Sequence, residues 1–196
     1  MKYSQNNEQE FILNYFGEHI GKFIDIGAYD GVTFSNVRAL AERGWSGTCY
    51  EADAKIYNNL VQNYKAFGKV KCEYCAVSTY NGTILFYGSN GDAVGTTSPQ
   101  HIEKWKSSVT FENSIPVACY DVNELIEKDK DAIFINIDVE GTNKALFDHI
   151  KDENFSRFKM ICIEHDGYHN DINRRLKTLG FTEIYLNGEN GIYAKL

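Results

Sequence analysis

The sequence predicts an α/β fold, with a mostly parallel sheet that carries helices on both faces. Two observations lead to this prediction: short β-like runs alternate with helical stretches, and the chain closes on two β-like runs joined by a polar turn. Strands that alternate with helices of roughly ten to fifteen residues form right-handed crossovers between parallel strands. The closing turn, residues 188–191, is rich in Gly and Asn and predicts a hairpin, which places one antiparallel strand in the sheet.

The individual elements follow from the spacing of apolar residues. The predicted strands are KFIDIG (22–27), GTCYEA (47–52), KCEYCAVS (71–78), GTILFYG (82–88), IPVACYD (115–121), AIFINIDVEG (132–141), MICIEHD (160–166), TEIYLN (182–187) and GIYAKL (191–196). Helices are expected over 33–43, 55–67, 142–149 and 170–179, and a further helix with one apolar face lies within residues 1–20. No linker or repeat divides these elements, so residues 1–196 are expected to form a single domain.

Length, composition and charge restrict the class of protein. A chain of 196 residues with 43% hydrophobic and 24% charged residues matches one globular domain. With 27 acidic and 20 basic residues, the formal net charge of -7 gives no positive field that would attract nucleic acid or an anionic membrane surface. No apolar run of about 18 residues occurs, so we expect no membrane insertion. The polar start of the chain and its odd number of cysteines favour the cytoplasm. The oligomeric state is not predicted.

The turn after the first strand is the first candidate ligand site. In parallel sheets, ligands bind beyond the carboxyl ends of the strands, and the turn from Gly27 to Gly31 lies at such an end. A nicotinamide dinucleotide requires G-x-G-x-x-G, whereas this turn reads G-A-Y-D-G and lacks the second glycine. Asp25 and Asp30 flank the turn and would repel a pyrophosphate. A cationic ligand without phosphate is therefore favoured, and S-adenosylmethionine is such a ligand.

The second strand ends in another candidate, Glu51, which follows Asp25 by 26 residues. An acid at this place can accept hydrogen bonds from both ribose hydroxyls of a nucleoside. Because dinucleotide enzymes use the same acid, a nucleotide-dependent oxidoreductase is one alternative. A second alternative is that Glu51 only lies near the start of a helix, with Asp53 as its N-cap.

One segment, residues 88–114, matches neither a strand nor a helix, because it is long, polar and rich in Gly, Ser and Thr. Loops of this length inside compact domains are functional lids or mobile segments, and both lie at the surface. Trp105 and Phe111 of this segment require burial. The segment is therefore expected to be either a solvated loop or a lid over a pocket.

Acids and a histidine end the next two strands of the predicted sheet: Asp138, Glu140, Glu164, His165 and Asp166. Such side chains at neighbouring strand ends are candidate general bases. Asp138 is preferred for a functional role, whereas Glu140 could simply favour the start of the following helix. His165 is the more specific candidate for the general base, because the ordinary pKa of histidine lies near neutrality and suits removal of a proton from an alcohol. Alternatively, Asp138 and Glu164 hold a magnesium or manganese ion together with His165 or Asp166.

The segments FIDIGAYDG, YEAD, CAVS and INIDVEG with IEHDG together resemble the FkbM-type S-adenosylmethionine-dependent methyltransferases over about residues 9 to 190. The resemblance implies a Rossmann-like class I methyltransferase sheet of seven strands in the order 3-2-1-4-5-7-6, with the seventh antiparallel. It implies S-adenosyl-L-methionine as the cofactor and leaves a divalent metal uncertain. Two positions depart from the family pattern: no acid ends the third strand to bind the adenine amino group, and Asn143 stands where the family often has an acid.

The same resemblance implies roles for individual residues. Residues of the first motif line the methionine part of the cofactor, Glu51 binds its ribose, and Ala76 and Val77 border its adenine. The expected cofactor-binding residues are Asp25, Gly27, Ala28, Asp30, Gly31, Glu51, Ala52, Ala76, Val77 and Asp138. Together with the strand-end analysis above, the expected catalytic residues are Asp138, Glu140 and His165.

These observations predict an S-adenosylmethionine-dependent methyltransferase, and the family resemblance alone implies that it O-methylates a hydroxyl of a sugar, glycan or secondary metabolite. Its partner is expected to be a small-molecule or carbohydrate acceptor, and no nucleic acid is expected. A nucleotide-dependent oxidoreductase and a non-catalytic module that keeps the cofactor pocket are the alternatives.

Overall fold

Seven of the ten strands build one central sheet, which helices cover on both sides. The computed structural model describes residues 1–196. The helices are α1 (Glu8–Phe16), α2 (Arg38–Glu42), α3 (Ala54–Tyr64), α4 (Pro99–Trp105), α5 (Val122–Lys128), α6 (Asn143–His149), α7 (Asp152–Phe155) and α8 (His169–Thr178). The strands are β1 (Lys22–Ile26), β2 (Ser46–Glu51), β3 (Val70–Tyr74), β4 (Ala76–Ser78), β5 (Gly82–Phe86), β6 (Ile115–Asp121), β7 (Phe134–Ile137), β8 (Met160–Glu164), β9 (Thr182–Leu186) and β10 (Asn190–Ala194). None of the helices is both long and apolar enough to cross a membrane.

The order of the central sheet is β3-β2-β1-β7-β8-β10-β9, and β10 runs antiparallel to both of its neighbours. Counted within this sheet alone, that is the order 3-2-1-4-5-7-6 with the seventh strand antiparallel, so the predicted fold class is confirmed. The numbers differ along the whole chain because β4, β6 and β5 form a separate three-stranded sheet, which the prediction did not distinguish. The run expected as one strand over 71–78 divides at Cys75, beyond which β4 pairs with β6.

Both faces of the central sheet are buried, as is usual for parallel strands between two layers of helices. On one face, the isoleucines of β1, β7 and β8 pack with side chains of α5 to α8 in a cluster of 22 buried residues. On the other face, 16 buried residues from the strands and from α1 to α3 form a second cluster. This second face also carries two buried polar side chains, Asp25 and Asn136. Polar groups in such a layer require hydrogen-bond partners, and these are described with the candidate site.

One predicted helix is shorter than expected. The helix expected over 33–43 is confined to Arg38–Glu42, because Phe34 adopts a left-handed conformation with φ of 59°. The Ser35 hydroxyl accepts a hydrogen bond from the N–H of Arg38 at 3.1 Å, so residues before the helix form a turn closed by a serine side chain. The segment 88–114, in contrast, is more regular than expected, since it contains α4 and one isolated bridge to the strand before it.

A buried carboxylate ties the N-terminal helix to the C-terminal hairpin. Glu8 is fully buried and accepts hydrogen bonds from the side-chain amides of Asn187 (2.6 Å) and Asn190 (3.1 Å). Phe11 stacks on Tyr185 of the hairpin, with ring centroids 4.5 Å apart. Because a buried charge requires hydrogen-bond donors, α1 and the hairpin hold each other in place.

We expect Glu8→Ala to lower the free energy of unfolding by about 1–3 kcal/mol, because it leaves buried side-chain amides without their acceptor. Chemical denaturation followed by circular dichroism measures this change. Glu10→Ala, in the same helix but at an exposed position, is the matched control and should change the free energy by less than about 0.5 kcal/mol. Equal losses in the two variants would contradict the role assigned to the buried carboxylate.

Candidate functional site

The candidate site lies at the carboxyl edge of the central sheet, where residues of five adjacent strands form one row. The register of β2, β1, β7 and β8 is fixed by pairing of residues 50, 26, 137 and 163. The residue after each of these four belongs to the row, and Asn190 of β10 extends it because Asn190 pairs with Glu164. The row is therefore Glu51, Gly27, Asp138, Glu164 and Asn190. Four polar side chains therefore meet at the edge where the sequence predicted a ligand.

Gly27 permits the ends of β1 and β7 to lie in contact. Its φ is +80°, and a Cβ atom at this position would lie 1.6 Å from the backbone oxygen of Asp138. The N–H of Asp138 donates to the carbonyl of Ile26 at 2.9 Å, so the pairing of the two strands continues up to the glycine. Gly31 has a different role, because a Cβ there would overlap side chains of α3 at 2.4 Å. Gly27 therefore shapes the site, and Gly31 allows α3 to pack beneath it.

Glu51 is buried at the end of β2 and holds the glycine turn. Its carboxylate accepts hydrogen bonds from the backbone N–H groups of Tyr29 (2.9 Å) and Asp53 (2.7 Å). Burial raises the pKa of Glu51 to about 7, against the effect of these hydrogen bonds, which favour the ionised form. Since a carboxylate has about four lone-pair sites, Glu51 can still accept donors from a ligand.

The other two acids of this region cap backbone turns. Asp53 accepts hydrogen bonds from two N–H groups in the first turn of α3, as one interpretation of the sequence anticipated. Asp30 accepts from the N–H groups of Val32 (2.8 Å) and Thr33 (2.7 Å). Asp30 lines neither of the two cavities described next. The side chain of Asp30 therefore stabilises the turn, and its expected contact with a ligand stays a prediction.

Two cavities adjoin at this edge of the sheet. The first has about 630 Å³ of empty space, part of it open to solvent, and is bounded by the ends of β1, β2 and β7, by β4 and by residues of the segment 88–114. Apolar side chains, among them Ile56 and Phe86, form half of its lining. Six of the expected cofactor residues lie together in its walls: Gly27, Glu51, Ala52, Ala76, Val77 and Asp138.

The second cavity, of about 1000 Å³, shares six lining residues with the first: Gly27, Tyr29, Asp92, Ala93, Asp138 and Glu140. The expected residues Asp25 and Ala28 line this second cavity. Six of its lining side chains are acidic, and Lys104 is the single basic one. This excess of carboxylates makes the second cavity attractive to cations.

A chain of buried amides leads from Asp25 into the second cavity. Asn136 donates to Asp25 at 2.9 Å, and Asn36 donates to the side-chain oxygen of Asn136 at 3.1 Å. Because a carboxylate only accepts, it orients both amides, and the side-chain oxygen of Asn36 is left without a partner. Burial raises the pKa of Asp25 to about 6. Sequence analysis missed both asparagines, although Asn136 lies two residues before Asp138 and so shares its face of the strand.

Three carboxylates converge where β7 and β8 end. Oxygen atoms of Asp138, Glu140 and Glu164 all lie within 4.8 Å of one another. Burial, followed by repulsion between the acids, raises the pKa of Asp138 and that of Glu164 well above the usual range of carboxyl groups. Asn143 donates to Glu164 at 2.6 Å. An acid in place of Asn143 would add repulsion to this cluster, which gives a physical reason for the departure noted in the sequence.

His165 does not reach this cluster. Its Nε2 donates to the carbonyl oxygen of Asn187 at 3.1 Å, and its Nδ1 accepts from the N–H of Gly167 at 3.0 Å. Asp166 adopts a left-handed conformation with φ of 48°, and the histidine ring lines neither cavity. The expected catalytic and metal-binding roles of His165 therefore have no geometric basis. Glu140 takes its place as the third member of the acidic cluster.

The segment 88–114 forms walls of both cavities. The Tyr29 hydroxyl donates to the carbonyl of Gly91 at 2.7 Å, which fastens the segment to the glycine turn. The Thr96 hydroxyl donates to the carbonyl of Glu140 at 2.6 Å, which fastens it to the acidic cluster. Trp105 of α4 lines the second cavity. The segment thus covers the site in this structure.

Sequence analysis overlooked His101 of α4. The side chain is buried, and its Nε2 lies 3.1 Å from a carboxylate oxygen of Glu140, although the ring N–H is not aligned for a hydrogen bond. Gly141 makes this approach possible, because a Cβ there would lie 2.7 Å from the imidazole ring. The position of His101 after a serine N-cap was visible in the sequence, but its contact with β7 was not.

The chain matches the sequence family described as the methyltransferase FkbM domain over residues 25–185. No protein with curated functional information matches it. Among solved structures, it is similar to methyltransferase FkbM from Methylobacillus flagellatus KT, with a TM-score of 0.55 and 12% identity. The similarity covers 89% of this chain and 43% of that one, so this chain spans less than half of that relative's length.

Two further solved structures share the architecture. A proposed caffeoyl-CoA O-methyltransferase from Staphylococcus aureus gives a TM-score of 0.51 and 14% identity, covering 100% of this chain and 86% of that one. A protein of the NADB-Rossmann superfamily from Streptococcus agalactiae gives 0.53 and 11%, covering 100% and 70%. At these identities, the structural similarities establish the fold alone.

Gly27→Ala should lower the free energy of unfolding by about 2 kcal/mol or more, because the new methyl group overlaps the Asp138 carbonyl and φ is left-handed. Gly44→Ala is the matched control, since φ is +91° but no atom lies within 4 Å of the added Cβ. There, only the backbone strain of about 1–2 kcal/mol applies. Urea denaturation compares the two variants. A loss for Gly27→Ala no larger than that for Gly44→Ala would refute the steric role of the Asp138 carbonyl.

Asp25→Asn should stabilise the protein near pH 7.5 and flatten the pH dependence of its stability between about pH 4 and 6. Because the folded-state pKa of Asp25 is raised from 3.8 to about 6, the folded state binds the proton more tightly than the unfolded chain. The free energy of unfolding therefore falls as pH rises through this window. The neutral amide keeps an acceptor for Asn136 and removes this loss, a gain of up to about 3 kcal/mol.

Urea denaturation at several pH values measures the effect of Asp25→Asn. Asp92→Asn, at an exposed position beside the same cavity, serves as the control and should leave the slope unchanged. An unaltered slope between pH 4 and 6 in Asp25→Asn would show that this carboxyl does not carry the titration.

Proposed function

The chain belongs to the FkbM methyltransferase family, and on that premise we propose that it transfers a methyl group from S-adenosylmethionine to a hydroxyl group of a sugar, glycan or secondary metabolite. The observation that carries this proposal is the pair of adjoining cavities, which meet at Gly27 and Asp138. Half of the residues that line the first cavity are apolar and five are acidic, whereas the second cavity has six acidic residues and fewer apolar ones. Methyl transfer needs such a junction, because donor and acceptor must be held in contact in a fixed orientation.

The first cavity fits the adenosine part of the cofactor. Glu51 has lone pairs left over from its two backbone hydrogen bonds, and these would accept the ribose hydroxyls. Ala76, Val77 and Phe86 would offer apolar surface to the adenine ring.

The acids around Gly27 fit the positively charged end of the cofactor. S-adenosylmethionine supplies a methyl group activated by a positively charged sulfur. Asp25 and Asp138 line the second cavity and would stabilise this charge, and binding would lower the pKa of both carboxyls. A dinucleotide would bring a pyrophosphate towards the same acids. The charge of the site therefore favours the methyltransferase over the oxidoreductase.

A carboxylate at the end of β8 would accept the proton of the acceptor hydroxyl. Glu164 lines the second cavity, and its raised pKa makes it a stronger base than an ordinary carboxylate. The proton would pass from the hydroxyl to Glu164 as the acceptor oxygen bonds the methyl carbon and the bond from that carbon to the cofactor sulfur breaks, which releases S-adenosylhomocysteine. His165 has no part in this step, because its ring is bound to the hairpin and to Gly167.

Unpartnered polar groups in the second cavity support an acceptor rich in hydroxyl groups. Side-chain oxygens of Asn36, Asp138 and Asn190 are buried without a hydrogen-bond partner, as is the ring N–H of Trp105. All four side chains line this cavity. Hydroxyl groups both donate and accept, so a polyhydroxylated ligand would satisfy three acceptors and one donor at once. Sugars, glycans and hydroxylated metabolites have this chemistry.

Calorimetric titration should show micromolar binding of S-adenosylmethionine and no binding of NAD. Glu51→Gln should weaken the binding at least tenfold, because the amide offers fewer lone pairs and no charge to the ribose hydroxyls. Glu73→Gln, at an exposed position on the neighbouring strand β3, is the matched control and should leave the affinity unchanged. Binding of NAD without S-adenosylmethionine would overturn the proposal. Release of S-adenosylhomocysteine with polyhydroxylated acceptors separates an enzyme from a non-catalytic module.

A further inference from the structure

We propose that Asp138, Glu140 and Glu164 form a binding site for one divalent cation of the magnesium or manganese class. All three side chains line the second cavity. This inference deepens the proposed function, because the catalytic consequence of the ion rests on that function. Binding of the ion can be measured whether or not the protein is a methyltransferase. The site includes Glu140 and excludes His165, and so differs from the arrangement considered in the sequence analysis.

The spacing of the three carboxylates matches the coordination sphere of one small ion. Oxygen atoms of the three side chains lie within 4.8 Å of one another. In an octahedral magnesium site with ligand distances of about 2.1 Å, adjacent ligands are about 3.0 Å apart and opposite ligands about 4.2 Å apart. Side-chain rotations that draw the carboxylate oxygens closer together would therefore close the cluster around the ion. Carboxylate oxygens are also the ligands that magnesium and manganese prefer.

The charge of the cluster is not balanced by basic side chains. Lys104 is the single basic residue in the lining, and it forms no ion pair with an acid; its amino group lies over the ring of Trp105 instead. His101 approaches Glu140 alone, without the alignment of a hydrogen bond. Three carboxylates close together in a partly buried site repel one another strongly when ionised, and a cation between them would relieve this repulsion.

An independent observation comes from Asn190, a buried residue with an exposed fraction of only 5%. Asn190 is the β10 partner of Glu164 in the sheet and lines the same cavity. Its Nδ2 donates to Glu8, which fixes the orientation of the amide and leaves Oδ1 without a partner. An oxygen buried beside a carboxylate and lacking a donor destabilises the folded protein. A hydrated cation next to Glu164 would satisfy this oxygen directly or through one of its water molecules.

Two neighbouring contacts orient the ligands. Asn143 accepts a hydrogen bond from the N–H of Val139 at 2.8 Å, so its amide nitrogen faces the acids and donates to Glu164 Oε2. This leaves Glu164 Oε1 available to an ion. The carbonyl of Glu140, whose φ is 51°, is held by the Thr96 hydroxyl. Hydrogen bonds of this kind to a ligating residue raise metal affinity by fixing the ligand's position.

The consequence for catalysis follows from the position of the ion between the two cavities. An acceptor hydroxyl coordinated there would have a lowered pKa, as a cation-bound water does. Its proton would pass to solvent, and the oxygen would use the freed electron pair to bond the methyl carbon while the bond from that carbon to the cofactor sulfur breaks and S-adenosylhomocysteine leaves. Glu164 would then act as a ligand, so the role as base proposed above applies to the ion-free enzyme.

Mn²⁺ binding to the full chain, after treatment with a chelator, tests the site. Calorimetry and the electron paramagnetic resonance signal of free Mn²⁺ measure this binding. We expect one ion per chain with micromolar affinity and displacement by excess Mg²⁺. Glu164→Gln and Asp138→Asn should each weaken the binding at least tenfold. Asp166→Asn is the matched control, since Asp166 also accepts from Asn143 but lies outside the cluster, and it should change the affinity less than about twofold. Thermal melting without metal confirms that each variant folds.

The outcomes separate this site from the proposed function. No saturable Mn²⁺ binding below about 1 mM, or binding unaffected by Glu164→Gln, would overturn the ion site while leaving the binding of S-adenosylmethionine as a separate result. Binding of Mn²⁺ together with failure to bind S-adenosylmethionine would uphold the ion site and overturn the proposed function. Loss of Mn²⁺ binding in Asp166→Asn would show that the ligand set is wrong.

Discussion

The whole candidate site depends on the contact between Gly27 and the backbone oxygen of Asp138. With no side chain at residue 27, the ends of β1 and β7 stay paired up to their last residues. Both cavities include these two residues, so one backbone contact determines how the cavities meet. Glu51 then holds the turn that follows through the N–H of Tyr29. The chemistry assigned to the side chains is possible only because the backbone brings their strands so close together.

The central sheet carries charged and polar groups on a face where parallel sheets are usually apolar. Asp25, Asn136, Asp138, Glu164 and Asn190 all line the second cavity on this face or at its edge. Burial raises the pKa of Asp25, which means that the ionised carboxylate lies in an unfavourable environment in the ligand-free protein. Such residues reduce folding stability and are suited to a ligand that brings positive charge or hydroxyl groups. The same groups that oppose folding therefore serve binding.

The sequence allowed prediction of the features that depend on local pattern. Apolar alternation located the strands, and because parallel strands end at one edge, it also placed Glu51 and Asp138 near each other. Asn36 could not be predicted, since its role depends on a hydrogen bond to a residue 100 positions away. The direction of the His165 ring depends on a carbonyl of the hairpin, and the second sheet depends on pairing with β6 across the segment 88–114. All three depend on contacts between distant parts of the chain, which periodicity does not report.

The hydrogen bonds of Glu8 have a consequence for how the protein matures during synthesis. Its partners, Asn187 and Asn190, follow it by 179 and 182 residues, so they leave the ribosome long after α1. Until the hairpin emerges, the carboxylate has only water and the neighbouring Asn6 as hydrogen-bond donors, and α1 cannot take its final place against the sheet. Contacts between such distant residues form slowly because a long loop must close first. Since Glu8 also orients the amide of Asn190, β10 completes the cavity wall, and a nascent chain that still lacks β10 has no finished site.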